Sequence, residues 1–536
     1  PAIAALHQVG IPVAFNFGAD LDLADLDRYI GYFTQGGIAL PDPAFYTRED
    51  ADARALLGRY TEYVEKILAL TGTPQDKLKD EMAMVLDLET RLARASRPIT
   101  SLRDPRANYA LVPTAGFAKQ FRNLQLDQFL QAQGVTADQV SMAHVAYFTE
   151  VDNLVRTLRP GQWKTYLRYQ IGNAMAPYLN QAFRDAHFSF HGRVLRGQSA
   201  PPQRDVQVLE AINRAAGPML AREYVARYLP EATRARAEAI AGGVRDALAR
   251  AVERSDWLSA EARAEAAAKL AGLRIEIGAP ADDLDFSMQP MGRNSFGSNM
   301  LIAATWHHRE EMRRIGRTNA QRRWGVQPQE PVLAYDIAHN RLVVSAAVLQ
   351  APVLDMEQDA AAQYGSFGAL VGHELGRAVD AKGRLVDASG QIRTWWTPAD
   401  EAAFGERANR LAAQYANYDY PAATALKVDG NLTREGNMAD LAAVELALDA
   451  FEAAQADPDS AGYESFFRAW ASLWREQLSP EAATEAASTQ AQAPGKWRAN
   501  GPLVNLPAFA KAFKCKAGNA MVRKPEEQVS IWRQAH

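Results

Sequence analysis

The stretch from Gly368 to Asp380, Gly-Ala-Leu-Val-Gly-His373-Glu374-Leu-Gly-Arg377-Ala-Val-Asp380, constrains this chain more than any other. On a helix, residues four apart stand on one face. A His-Glu-x-x-His helix uses that spacing: both imidazoles reach one Zn²⁺, and the Glu between them activates the metal-bound water. Here His373 and Glu374 are in place, but Arg377 holds the position of the second histidine. Arginine stays protonated and has no lone pair to give a metal. An isolated His-Glu on a helix is usually an ordinary pair of residues, so the rest of the chain has to decide what this stretch is.

The surrounding sequence changes grammar once. Residues 1–290 read as helices almost throughout, with apolar residues three and four apart over 53–68 and 232–251. Ser259 is a candidate N-cap for a helix ending near Lys269. A loop rich in Gly, Met, Asp, Ser and Asn covers 281–299, and a helix is predicted over 300–324. Two short β-like runs follow, 331–335 and 341–345. The key helix is predicted from about Ala360 to Val379, and Thr397 or Asp400 is placed to cap the next one. A further helix is predicted from near Asn437 to Phe451, and an aromatic-rich one over 460–480. The predicted class is mainly α within an α+β plan, divided into a helical part, 1–290, and a mixed part, 291–536.

Composition excludes several functions. The 536 residues are 48 % hydrophobic and 23 % charged with a formal net charge of −4, an ordinary globular balance without the basic excess of a nucleic-acid binder. No apolar run approaches the roughly 20 residues of a membrane span. The single cysteine, Cys515, rules out an internal disulfide framework and a cysteine zinc cluster. The chain starts at Pro1 rather than Met, so an upstream segment is expected.

From His373 outward the sequence resembles the neprilysin-like metallopeptidases, the M13 family. Gln35-Gly-Gly-Ile-Ala-Leu-Pro-Asp-Pro-Ala-Phe-Tyr46 and Phe188-Ser-Phe-His-Gly-Arg-Val-Leu-Arg-Gly197 are similar to two of its helical-lobe motifs. Leu349-Gln350-x-Pro352, Tyr364-Gly365-x-x-Gly368, Gly383-Arg384-x-x-Asp387-x-x-Gly390 and Trp395-Trp396-Thr397 flank the key helix in family order. Arg498-x-x-Gly501-Pro502, Phe509-x-x-x-Phe513-x-Cys515 and Trp532 close the chain. The resemblance implies two lobes around an internal cavity, one helical and one thermolysin-like.

Carried over position by position, the resemblance implies a site with some parts kept and others lost. His373 is the first zinc ligand and Glu374 the general base. Arg377 replaces the second ligand. The third ligand position falls on Gly436, in Arg434-Glu435-Gly436-Asn437-x-x-Asp440, where Gly and Glu stand interchanged. Asp440 matches the carboxylate that orients the first histidine. Gln492 falls where the family has the histidine that stabilises the tetrahedral intermediate. Arg498 matches the arginine that grips substrate. Leu333-Ala334 falls on the Asn-Ala pair that holds the substrate main chain; only Ala334 is kept.

Catalytic zinc needs three protein ligands and an open position for water. With one imidazole and no aligned carboxylate, the sequence implies no zinc cofactor and a peptidase homologue without catalysis. Charge offers a reason: Zn²⁺ with three carboxylates and Arg377⁺ with Glu374⁻ and Asp440⁻ both sum to one negative charge, so Arg377 is expected to take the metal's place and pair with Glu374 or Asp440. The expected work is binding a peptide, partly through Arg498, or another protein, an active relative among the candidates. The competing expectation is an active zinc endopeptidase with a remodelled site using Glu435. The composition looks bacterial, and bacterial relatives are often exported, which implies a periplasmic or extracellular location.

Overall fold

The computed structural model describes residues 1–102, 105–280, 291–318, 320, 323–423, 425–455, 458–478, 480, 483, 486–487 and 490–533. It is mainly helical with two small sheets, the α+β class the sequence predicts. Two compact units form, residues 1–217 with 284–320 and residues 218–283 with 321–536. The chain therefore does not divide once at residue 290. The first boundary falls inside the helix Arg204–Tyr228, where Ala216 leaves helical geometry (φ −136°, ψ 28°) just before Pro218. A proline removes a backbone donor and clashes with the preceding turn, which is why the helix bends there.

The first unit holds a hairpin that helical periodicity hides. Strands β1 (Phe15–Asp22) and β2 (Asp25–Gln35) pair antiparallel from Phe15↔Gln35 inward. With β3 (Leu111–Pro113) and β4 (Gln139–Ser141) they make a four-stranded sheet of order β1-β2-β4-β3. Phe15, Phe17 and Phe33 enter an aromatic core with Phe117, Phe121, Phe129 and Phe148. The acids Asp20, Asp22, Asp25 and Asp27 belong to a residue type depleted in strands, and they mask the alternation. Helices α1 (Ala51–Leu70), α2 (Leu78–Ala95), α3 (Pro160–Met175) and α4 (Gln181–His187) build a second core on Tyr60, Val64, Ile67, Val85 and Tyr169. The helix predicted over 300–324 is Phe296–Met312; residues 319, 321 and 322 of that prediction, and 281–290 of the predicted loop, lie outside the described residues.

The second unit begins with α5 (Glu231–Arg254) and α6 (Ala260–Ala271), capped by Ser259 as predicted. Their periodicity identifies helices but not the core they serve. Ile240, Val244 and Leu248 bury against Leu441, Val444 and Leu448, so these helices belong here and not with residues 1–217. Strands β5 (Arg274–Gly278), β6 (Leu333–Asp336) and β7 (Arg341–Ser345) form a sheet of order β5-β7-β6, with β6 antiparallel to β7 and at the edge. The two β-like runs of the sequence are β6 and β7.

Candidate functional site

The key segment keeps its predicted course but changes its turn. It runs as Ala360–Gln363 (α), Tyr364–Gly368 (π), α7 (Ala369–Leu375) and Gly376–Ala378 (3₁₀). Glycines set its depth. A Cβ on Gly365 would sit 2.1 Å from the Phe466 carbonyl oxygen, and one on Gly372 would sit 2.9 Å from that of Ala443. Both lie inside contact distance, so the segment lies directly on neighbouring backbone. Thr397 and Asp400 form a capping box at α8 (Pro398–Tyr415). The helix expected from Asn437 starts earlier, as α9 (Arg434–Ala454), and α9 carries Ala443.

This packing brings five of the sequence-predicted residues into one chain of contacts. His373 Nδ1 lies 3.0 Å from Asp440 Oδ1, and His373 Nε2 lies 3.4 Å from Arg377 Nη2. A carboxylate only accepts and a guanidinium only donates. Nδ1 therefore carries the proton, and Nε2 accepts from Arg377. Arg377 Nε is 3.3 Å from Glu374 Oε1, at ion-pair distance but without an aligned hydrogen bond. Glu374 Oε2 accepts the Tyr335 backbone N–H of β6 at 3.1 Å.

Asp440 is the buried centre, 1 % exposed. Arg498, on α10 (Gly495–Leu503), grips it with Nε to Oδ2 and Nη2 to Oδ1, both at 2.8 Å. Burial pushes the Asp440 carboxyl up, but hydrogen bonds from Arg498 and then His373 outweigh it and hold the group below the usual carboxylate range. The Arg498 guanidinium lies 3.6 Å from the centre of the Trp474 ring. Trp474 was not legible as a site residue; its only signal is its place four residues after Trp470 in the aromatic-rich segment.

The remaining predicted positions separate. Gln492 packs onto Gly436: a Cβ there would lie 2.4 Å from Gln492 Oε1, an oxygen that is buried and has no hydrogen-bond partner among the described residues. Ala334 lies on β6 beside Tyr335 and opposite Val343. Glu435 is exposed and pairs with Lys382 Nζ at 2.9 Å. Asp380 accepts the N–H groups of Lys382 and Gly383, and burial raises its carboxyl. Lys269 ties down the following loop by donating to the carbonyls of Gly383 and Val386, both at 2.8 Å; burial lowers its ammonium to about 8. Among the described residues, no three His, Cys, Asp or Glu side chains are grouped to hold a metal ion.

A helix carrying His-Glu, laid on a second helix that supplies an aspartate to the imidazole, is the framework of the His-Glu-x-x-His metallopeptidases. Two profiles of peptidase family M13 match this sequence, one over residues 1–280 and one over 334–529. The chain belongs to peptidase family M13. It is 24 % identical to Neprilysin-3 of Drosophila melanogaster over 547 residues, covering 97 % of this chain and 69 % of that protein. It is also 24 % identical to the neutral endopeptidase of Lactobacillus helveticus, covering 97 % of this chain and 79 % of the relative. Among solved structures, Mycobacterium tuberculosis zinc metalloprotease ZMP1 in its open state superposes with a TM-score of 0.86 at 26 % identity, covering 99 % of this chain and 84 % of that one. No helix of the described residues is long and apolar enough to cross a membrane.

Proposed function

We propose that this chain is a metal-free, non-catalytic member of the family that binds a peptide or a protein partner. The observation that carries this reading is the contact between Arg377 Nη2 and His373 Nε2 at 3.4 Å. Asp440 holds His373 in the tautomer a zinc ligand needs, with its lone pair on Nε2. That lone pair is directed at a guanidinium N–H. A permanent cation then stands against both the imidazole and the Glu374 carboxylate.

The donor set does not fit zinc. Position 377 offers no lone pair, position 436 offers no side chain, and Gln492 fills the space where a side chain at 436 would start. Without a metal to lower the pKa of water, Glu374 alone supplies no hydrolytic step. Glu435 weighs against the remodelled zinc site, because it is exposed and paired with Lys382. Arg498 is committed through two hydrogen bonds to Asp440, which favours a structural part for it over a free substrate clamp. We place the work of the chain outside the cytoplasm, as the resemblance implies.

Metal analysis of protein purified without added metal tests this reading, together with a quenched-peptide assay. The expected results are less than stoichiometric zinc and no cleavage. Stoichiometric zinc, or cleavage abolished by Glu374→Gln, overturns it.

A further inference from the structure

We propose a second metal-binding position in the first unit, formed by His187 and His191 and suited to Cu²⁺ or Zn²⁺. Nothing in the peptidase-type site bears on it. The two histidines stand four apart where α4 passes into the π turn Phe188–Val194. That spacing puts both side chains on one face. Their rings lie face to face, with centroids 4.4 Å apart and planes inclined by 23°. The wide turn depends on Gly192, where a Cβ would come within 2.3 Å of the Phe188 ring.

The surroundings orient one ring as a ligand. His191 Nε2 lies 3.2 Å from Asn173 Oδ1, and Tyr63 donates its hydroxyl to the same oxygen at 2.7 Å. An oxygen that accepts from Tyr63 also accepts from His191, so Nε2 carries the proton and Nδ1 keeps a free lone pair. Metal-bound histidines are held this way, with the second ring nitrogen donating to a neighbouring acceptor. Tyr63 packs edge-on against His191, with centroids 5.2 Å apart. The His187 ring makes no hydrogen bond among the described residues, so its two ring nitrogens are uncommitted. Burial lowers both imidazoles to about 4, and the neutral form is the one that binds metal.

Two imidazoles leave the other coordination positions to water, and for nitrogen ligands Cu²⁺ binds more tightly than Zn²⁺. One feature opposes the ion. The Arg196 Nε donates to the His191 carbonyl at 3.0 Å, and its charge lies close enough to depress both imidazoles. The site is accordingly one of modest affinity, closed by turning the His187 ring out of the stack toward His191 Nδ1 while Asn173 keeps hold of His191.

Titration of the full-length chain with Cu²⁺ and with Zn²⁺, followed by calorimetry, tests the proposal. It is run in a His373→Ala background so that the imidazole of the other site takes no part. About one equivalent of Cu²⁺ is expected, bound more tightly than Zn²⁺. Adding His187→Ala removes it, and so does His191→Phe, which keeps a ring against Tyr63. Asn173→Ala weakens binding roughly 10-fold, and Arg196→Gln tightens it. Uptake that is unchanged by His187→Ala and His191→Phe overturns the proposal, as does the absence of Cu²⁺ binding in the parent.

Discussion

Gln492 occupies the space into which a side chain at Gly436 would grow, with its Oε1 only 2.4 Å from the nearest Cβ position. The two positions are therefore coupled: a long residue at one requires a short or displaced residue at the other. Gly436→Glu alone is expected to destabilise the protein by roughly 1–3 kcal/mol, the usual cost of overpacking. Combined with Gln492→Ala it is expected to cost clearly less than the sum of the two single changes. Urea unfolding of both single variants and the double variant measures this coupling.

The same coupling sets what a restored metal site needs. Arg377→His removes the cation and supplies an imidazole, and Gly436→Glu with Gln492→Ala supplies a carboxylate with room for it. The triple variant is expected to bind about one equivalent of zinc, and the Arg377→His single variant much less. Inductively coupled plasma analysis reads the difference. No gain of zinc in the triple variant would show that the site lost more than these residues.

Asp440 and Arg498 form a buried pair in which each holds the other's charge. Arg498→Met leaves the carboxylate without its cation and is expected to cost roughly 3–5 kcal/mol. Asp440 titrates below its ordinary range in the fold, so its contribution is present at neutral pH. It is lost as pH falls through that depressed value. Stability curves from pH 7 down to acid are expected to show a shallower acid limb for Asp440→Asn than for the parent.

Glu89 behaves in the opposite sense. It is fully buried and accepts from Tyr46, Tyr60 and Gln170. Burial raises its carboxyl to about 7 despite those three bonds. The fold therefore favours the protonated acid, and stability falls as pH rises from the ordinary carboxylate value toward 7. The loss is on the order of 3 kcal/mol. Glu89→Gln is expected to flatten this part of the curve, as followed by urea midpoints between pH 5 and 8.

Glu435→Ala is expected to change stability by less than about 0.5 kcal/mol and to leave metal content unaltered, because its partner Lys382 is as exposed as it is. A fall in metal content would revive the remodelled zinc site.

Sequence made the elements of the second unit largely legible, because their signals are local. Ser259 and Thr397 cap the helices they were expected to cap, and the runs around 333 and 343 are strands. The β1–β2 hairpin was not legible, since its acidic residues imitate a solvated helix face. The assignment of α5 and α6 to the second unit was not legible either; helical period tells which face is buried, not against what. At the candidate site, family motifs mark His373, Glu374, Arg377, Asp440 and Arg498, and charge alone suggests that Arg377 pairs with Glu374 or Asp440, of which Glu374 is the carboxylate at 3.3 Å. Trp474 over Arg498 and Gln492 against Gly436 are tertiary contacts that no spacing encodes.

The close approach of Gly372 to the Ala443 carbonyl has a consequence for protein engineering. Two helices whose backbones touch cannot slide or roll past each other when nearby side chains are exchanged. Positions 373, 374, 377 and 436 can therefore be rewritten as an alphabet of functional groups on a frame of fixed dimensions. Such a scaffold lets chemistry be removed or installed without redesigning a single turn of its backbone, one substitution at a time at 373, 374 and 377 and in step with Gln492 at 436.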